Sequence, residues 1–227
     1  MHSYLSYLII IGVFLAYFLL HSLTASIVMK QWVAKHWPKV MPYYRLAYNT
    51  LAIILSIPLL IVMFLYPGEI LWQWHGLGFY LTSAMALLAV TGFVYSLQHY
   101  DLAEFWGTRQ LSRQNREPDT SVYDQETFHI SPFHRYVRHP WYFFALVIIW
   151  TRDVSTVQLL VYLLVTAYFV FGSQLEERKL LAYHGEVYRK YQQKVAGIVP
   201  LPWKILSAEQ AQALLREYNQ ESYKKHD

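Results

Sequence analysis

The sequence predicts an all-α, polytopic membrane protein with about five transmembrane helices. Hydrophobic residues make up 55% of the 227 residues and charged residues only 15%, against about 25% charged residues in an ordinary soluble domain. The basic residues lie in short blocks between long apolar runs, which is typical of polytopic membrane proteins, and this layout argues against a nucleic-acid partner. The chain has no cysteine, which excludes disulfides, thiolate metal sites and a cysteine nucleophile.

Five apolar runs are the candidate spans. They cover residues 4–23, 46–68, 70–100, 139–151 and 154–175. Four of them reach the roughly 20 residues that span a bilayer. The run 139–151 rises only about 20 Å as a helix, so it either recruits preceding residues or crosses part of the membrane. The first run has neither the basic start nor the cleavage site of a signal peptide, so we expect it to be retained.

The basic residues predict the orientation. Five crossings with the N-terminus outside place all three basic regions, and the C-terminus, on the cytoplasmic side of the inner membrane. We expect one membrane domain over residues 1–206 and a polar, helical tail over residues 207–227. The basic regions contain Lys30, Lys35, Lys39 and Arg45; Arg109, Arg113, Arg116, Arg135 and Arg138; and Arg178, Lys179, Arg189, Lys190 and Lys194.

Two long cytoplasmic segments, Asp101–His139 and Glu176–Trp203, contain most of the ionisable residues. The first exceeds the length of a simple connector. It also contains six aromatic residues, among them Phe105, Trp106, Phe128 and Phe133, so we expect it to pack back onto the membrane end of the helices.

A basic cluster precedes the fourth apolar run. Pro140 suits the first turn of a helix, because its missing N–H would be unpaired there. Arg138 and His139 then lie at a helix N-terminus, where free N–H groups and the helix dipole favour an anion. The alternative is that these side chains only snorkel to the membrane surface.

An acidic pair, Glu176-Glu177, ends the last apolar run. Carboxylates are unfavourable at a helix C-terminus unless they are paired. They either form a solvated charge network with nearby bases or bind a cationic or hydroxylated ligand group opposite the basic cluster. A zwitterionic ligand with hydroxyls would use both clusters at once. S-adenosylmethionine is such a molecule, and aromatic faces can hold its sulfonium.

The C-terminal motifs resemble the signature of the isoprenylcysteine carboxyl methyltransferase superfamily. The similarity covers about 65 residues: Tyr136-Val137-Arg138-His139-Pro140-Trp141-Tyr142, then Glu176-Glu177, then Gly185-Glu186-Val187-Tyr188-Arg189-Lys190-Tyr191 and Val199-Pro200. The segments His21–Ser26 and Phe105–Gln110 are similar to the methanethiol S-methyltransferase and NnrU-like branch. Many relatives have glycine where this chain has Phe144, which indicates a narrower cavity and argues against a large prenylated substrate.

The resemblance implies a membrane enzyme that holds S-adenosylmethionine at the cytoplasmic side, mainly within residues 134–203, with no metal. The residues carried over to the cofactor site are Arg138, His139, Pro140, Tyr142, Glu176, Glu177 and Tyr188. A thiol acceptor must become a thiolate, so a base is expected within reach; His139, His134 and His99 are the candidates.

Three functions remain open at this stage. The favoured one is S-methylation of a small thiol, such as methanethiol giving dimethyl sulfide. The second has the same chemistry with a lipidic carboxylate or amine as acceptor. The third is a haem- or quinone-associated membrane protein with His21 and His99 as ligands, although it leaves both charged clusters without a role. The oligomeric state is not predicted.

Overall fold

The computed structural model describes residues 2–113 and 128–224, and these are helical almost throughout, which confirms the all-α prediction. Arg116 and the middle of the segment Asp101–His139 lie outside the described residues. The α-helices described are α1 (His2–Ala25), α2 (Ile27–His36), α3 (Tyr44–Leu65), α4 (Gly76–Leu97), α5 (Leu102–Trp106), α6 (Thr108–Arg113), α7 (Pro140–Trp150), α8 (Thr156–Lys194) and α9 (Ala208–Lys224). The described residues also form two 3-10 helices and two short strands. The 3-10 helices are Pro38–Tyr43 and Phe133–Arg135, and the strands are β1 (Ile70–Trp72) and β2 (Val154–Ser155).

Four helical segments in the described part of the chain are long and apolar enough to cross a membrane. They are Tyr4–Ala25, Pro38–Leu65, Gly76–Leu97 and Thr156–Lys194. The protein is therefore an integral membrane protein. Helix α7 has 11 residues and rises only about 16 Å, roughly half of a 30 Å hydrocarbon core. A fifth complete crossing is thus not evident from helix length.

The third apolar run is not helical from its start, contrary to the expected bounds 70–100. Its first residues form β1, which pairs antiparallel with β2, with Ile70 opposite Ser155, and α4 begins only at Gly76. Gly68 has a positive φ of 73°, and a Cβ there would lie 2.8 Å from the backbone nitrogen of Val157. Because glycine has no side chain, the backbone at residue 68 can lie this close to Val157, just before β1 pairs with β2.

The chain divides into two compact units. The first comprises Met1–Trp74, Tyr100–Asp124 and Asp153–Val165. In it, α1 packs against α3, and the Tyr44 hydroxyl donates to the carbonyl of Thr24 at 2.6 Å. The Asn49 side chain donates to the carbonyl of Phe105 at 2.7 Å, so α5 packs onto α3 as expected for this aromatic segment.

The second unit comprises His75–His99, Gln125–Arg152 and Thr166–Asp227. Its hydrophobic core includes residues from three parts of the chain: the described end of the long segment, the end of α8, and α9. Lys190 and Glu217 form an ion pair between the last two. The part of the segment Asp101–His139 that contains Phe128 therefore packs into the core of this unit. The core residues are Phe128, Ile130, Val187, Tyr188, Tyr191, Val195, Leu206, Ala211 and Leu214.

Helix α8 reverses direction at Gly185. This residue has φ 59° and ψ −134°, a conformation that is essentially restricted to glycine. In a straight helix, Glu177 and Gln192 would lie about 22 Å apart along the axis. Their side chains instead form a hydrogen bond of 2.9 Å, so the segment after Gly185 folds back along the segment before it.

Helices α4 and α7 pack closely where Phe144 meets Gly92. Phe144 is only 6% exposed, and its ring also packs edge-on against Phe133 at 5.2 Å. A Cβ at Gly92 would lie 2.8 Å from the Phe144 ring. The bulky ring therefore fills the interface between the two helices, and a small residue opposite makes that possible.

We expect Gly92→Ala to destabilise the protein by about 1–3 kcal/mol, because the methyl group overlaps a buried ring. This cost exceeds the roughly 1 kcal/mol that alanine gains over glycine in a helix. Thermal unfolding followed by tryptophan fluorescence measures the effect. Gly172→Ala is the matched control: apart from its chain neighbours and the backbone of its own helix, no atom in the described part of the chain lies within 4 Å of a Cβ there, so the stability of this variant should not fall. Restored stability in Gly92→Ala/Phe144→Leu would identify the ring as the cause, and an unchanged Gly92→Ala would contradict the packing.

Candidate functional site

The start of α7 is fixed against the end of α8 by backbone hydrogen bonds. Val137 forms a parallel bridge with Ala196. The Arg138 N–H donates to the Ala196 carbonyl at 2.8 Å, and the His139 N–H to the Gly197 carbonyl at 3.1 Å. Pro140 occupies the first turn of α7, as predicted. The two basic side chains are thereby directed toward the acidic pair on α8.

Arg138 and Glu177 form a buried ion pair. The Arg138 Nε and Nη2 atoms lie 2.8 and 2.7 Å from Glu177 Oε1, and the two side chains are only 13% and 14% exposed. Arg138 Nη1 also donates to the backbone carbonyls of Gln192 and Val195. Arg138 therefore joins the two halves of the reversed α8, and Glu177 neutralises its charge.

His139 lies between both carboxylates. Its Nε2 donates to Glu177 Oε1 at 3.0 Å, and its Nδ1 is 3.5 Å from Glu176 Oε2. Burial alone would lower the pKa of His139, but hydrogen bonds and charge attraction from Glu176 and Glu177 outweigh it and raise the pKa to about 9. The imidazole is therefore protonated at neutral pH, with both ring nitrogens facing acids.

Glu176 is the more accessible carboxylate, with a side chain that is 41% exposed. Its Oε2 accepts a hydrogen bond from the Tyr142 hydroxyl at 3.1 Å. The Tyr142 ring stacks on His139 at 5.3 Å and on Phe169 at 4.5 Å. An open carboxylate thus lies beside a stack of aromatic rings, an arrangement suited to a cationic ligand.

Tyr188 belongs to the hydrophobic core of the second unit rather than to its surface. It is 2% exposed, and its ring packs against Phe128 and Tyr191 at 6.1 and 5.8 Å. The predicted site residues Arg138, His139, Pro140, Tyr142, Glu176 and Glu177 lie together, and Tyr188 interacts with Arg138 and Glu177 from within this core.

The other two candidate bases lie in the same unit. His134 Nδ1 is hydrogen-bonded to Ser131 Oγ at 2.8 Å. Burial, followed by repulsion from His129 and His139, lowers the pKa of His134 to about 4. His99 lies in the turn after α4, where its N–H donates to the carbonyl of Ser96 at 3.0 Å.

His21, the other ligand of the haem alternative, is engaged within the first unit. Its Nε2 is hydrogen-bonded to the Tyr48 hydroxyl at 2.8 Å, and its ring stacks on Tyr17 at 5.5 Å. Each of these contacts gives His21 a local structural role.

Sequence reasoning missed two residues of the site. Gln192 donates to Glu177 Oε2 at 2.9 Å, but the reversal at Gly185 brings it there, and helix periodicity does not predict such a contact. Phe169 could have been found, because it precedes Glu176 by seven residues and so lies two turns earlier on the same face of α8.

Known proteins similar to this chain are named methanethiol S-methyltransferases. The chain is 30% identical over 208 residues to the methanethiol S-methyltransferase of Crocosphaera subtropica, a match that covers 85% of this chain and 74% of that relative. It is 30% identical over 191 residues to the enzyme of the same name from Pseudomonas deceptionensis, covering 79% and 67% of the two chains. With that of Mycobacterium tuberculosis it shares 26% identity over 211 residues, covering 86% and 77%. No family model and no solved structure matches the chain.

The helical membrane fold and these relatives define the class of the protein as an integral membrane methyltransferase. Within that class, the chain belongs to the methanethiol S-methyltransferase family. The resemblance drawn from the Arg-His-Pro and Glu-Glu motifs is thereby confirmed.

Proposed function

We propose that this protein transfers a methyl group from S-adenosylmethionine to a small thiol, with methanethiol giving dimethyl sulfide. The observation that carries the proposal is the accessible Glu176 carboxylate beside the stacked rings of Tyr142 and Phe169, held in place by the Arg138–Glu177 pair. The names of the relatives support the thiol as acceptor.

The site residues suit the chemistry of this cofactor. Glu176 offers an open carboxylate to an ammonium group or ribose hydroxyls, and the stacked rings of Tyr142 and Phe169 beside it provide an aromatic surrounding for a sulfonium. Arg138 and His139 hold the two carboxylates of Glu177 and Glu176 in position. The cofactor supplies an electrophilic methyl group, and the protein's task is to hold the reactants in line and exclude water.

A small acceptor agrees with the position of Phe144. Its ring occupies the space between α4 and α7, where a smaller residue would leave room for part of a longer substrate. The proton of the thiol must also be removed. His139 is poorly suited to that task, because both of its nitrogens face carboxylates, so His134 and His99 remain.

For the topology, we propose the orientation predicted from the basic residues. The N-terminus and the loop at residues 67–75 lie outside, and the three basic regions and the site lie on the cytoplasmic side of the inner membrane. In this orientation, α7 and its flanking residues carry the chain from the cytoplasmic site to the outer side, which makes the fifth crossing. This places the charged site where soluble S-adenosylmethionine is available.

Membranes that contain the protein are expected to convert methanethiol and methyl-labelled S-adenosylmethionine into labelled dimethyl sulfide. Gas chromatography of the headspace measures the product. Membranes with Glu177→Ala provide the matched inactive control, because this change removes the partner of Arg138 and His139 at the centre of the site.

The same reaction run with a panel of acceptors separates the alternatives. Label in membrane lipid or in a prenylated carboxylate, with none in dimethyl sulfide, would favour the lipidic acceptor. A wild-type protein that labels no thiol would contradict the proposed function. A visible absorbance band in the purified protein would instead support a haem protein.

A further inference from the structure

The segment that connects α1 to α3 lies at the membrane surface. Helix α1 packs against α3, and the Tyr44 hydroxyl donates to the carbonyl of Thr24 at 2.6 Å, which joins the end of α1 to the start of α3. Helix α3 has 22 residues and rises about 33 Å, enough for a hydrocarbon core of about 30 Å. Residues 27–43, here called the α2 segment, are therefore not needed for either crossing. They comprise α2 and the 3-10 helix Pro38–Tyr43.

Helix α2 exposes an apolar stripe. Its 10 residues rise only about 15 Å, too little to cross a bilayer. Val33 is buried, whereas Val28 and Trp32, four residues apart on one face of the helix, are exposed. The exposed Trp37 continues this stripe, because its ring packs edge-on against that of Trp32 with centroids 5.0 Å apart. A short helix with such a stripe suits the boundary between lipid headgroups and acyl chains.

The α2 segment is also strongly basic. It contains Lys30, Lys35 and Lys39, and the first 68 residues of the chain contain no Asp or Glu. Lys35 and Lys39 lie two residues to either side of Trp37, and both are exposed. Neither forms an ion pair within residues 2–113 and 128–224. Basic clusters of this kind beside a membrane helix attract anionic lipid headgroups.

We propose that the α2 segment is a binding site for an anionic phospholipid. Lys35 and Lys39 bind the phosphate of the headgroup, and the acyl chains pack against the exposed stripe of Val28, Trp32 and Trp37. The lysines also contribute to the predicted orientation of the chain, but that role alone requires no preference for anionic over zwitterionic lipid in the folded protein. This preference is what an experiment can measure.

The unfolding temperature in lipid nanodiscs tests the site. It is compared between nanodiscs of phosphatidylcholine alone and nanodiscs of phosphatidylcholine mixed with phosphatidylglycerol. We expect phosphatidylglycerol to raise the unfolding temperature of the wild type, and Lys35→Gln/Lys39→Gln to reduce this rise by about 4–8 °C, since both lysines lose their attraction to the anionic headgroup. Lys35→Arg/Lys39→Arg keeps both charges and should keep the rise. Soluble glycerol phosphate, which lacks acyl chains, should give none.

A charge-matched variant shows whether the effect belongs to the α2 segment. Arg189→Gln/Lys194→Gln removes two exposed cations from α8 and should leave the rise in unfolding temperature in place. Equal rises in the wild type and Lys35→Gln/Lys39→Gln would overturn the inference. Equal losses in the two glutamine double variants, or an equal rise with glycerol phosphate, would also overturn it.

A nitroxide on the apolar stripe tests its position with all lysines intact. The chain has no cysteine, so Val28→Cys provides a single attachment point. In vesicles that contain phosphatidylglycerol, we expect the accessibility of this label to oxygen and to a water-soluble nickel complex to place it at the headgroup boundary. Ile54→Cys, at an exposed position in the middle of α3, should lie deeper. A label at position 28 that is as accessible to nickel as a free nitroxide in water would overturn the inference, even if the lysine variants fold poorly.

Discussion

Replacing Glu177 by alanine is expected to lower the stability of the protein by about 3–5 kcal/mol, because it leaves a buried arginine and a buried imidazolium without their shared counter-charge. Glu177 Oε1 accepts from Arg138 and His139, and Oε2 accepts from Gln192. The same change should abolish binding of S-adenosylmethionine, since the groups that position the site lose their common partner. The apparent unfolding temperature and equilibrium binding of the labelled cofactor measure the two effects.

Glu186 on the same helix provides the control. Its side chain is 59% exposed and pairs with Arg189 at 3.2 Å. Exposed pairs of this type contribute less than about 1 kcal/mol, so Glu186→Ala should change neither stability nor binding appreciably. Similar losses of stability and cofactor binding in Glu177→Ala and Glu186→Ala would contradict the buried role of the Arg138–Glu177 pair.

The second large effect is the contribution of His139 to the pH dependence of stability. Its pKa is raised from 6.5 to about 9 in the folded protein, so its protonated form stabilises the fold fully below pH 6.5, and this contribution is lost as pH rises through 9. The shift corresponds to roughly 3 kcal/mol. We therefore expect the difference in unfolding temperature between wild type and His139→Gln to be largest near pH 6 and to shrink steadily toward pH 9.5.

The matched control for this experiment is His36→Gln, which changes an exposed histidine on α2. Its unfolding temperature should follow that of the wild type at every pH. A difference between wild type and His139→Gln that stays constant from pH 6 to 9.5 would show that the two carboxylates do not hold the imidazole in its charged form.

The features that follow local rules could be predicted from the sequence. The apolar runs gave the helices because length and hydrophobicity are local properties, and Pro140 marked the start of α7 because proline fits the first turn. The pairing of the charged clusters at 138–139 and 176–177 could be predicted, because opposite charges that are expected at the same membrane face attract.

The features that depend on chain reversal could not be predicted. Gly185 indicates a break in the helix, but the sequence does not predict that Gln192 returns to Glu177. The sequence also does not predict which of the two carboxylates stays accessible. Adjacent helical positions point about 100° apart, and only the packing of the folded chain turns Glu177 inward and Glu176 outward. The strand pair before α4 depends on a contact with residues 154–155, more than 80 positions away along the chain.

The reversal at Gly185 also has a consequence for how the protein matures. Arg138 takes its carbonyl partners from Gln192 and Val195, and the bridge at Val137 needs Ala196, so all of these partners leave the ribosome well after the membrane helices. During synthesis, the Arg138 side chain must wait for the two backbone carbonyls that its Nη1 atom binds. The site is therefore assembled late, and a nascent chain halted before residue 192 would lack Gln192 and Val195, which hold Arg138 and Glu177 in place.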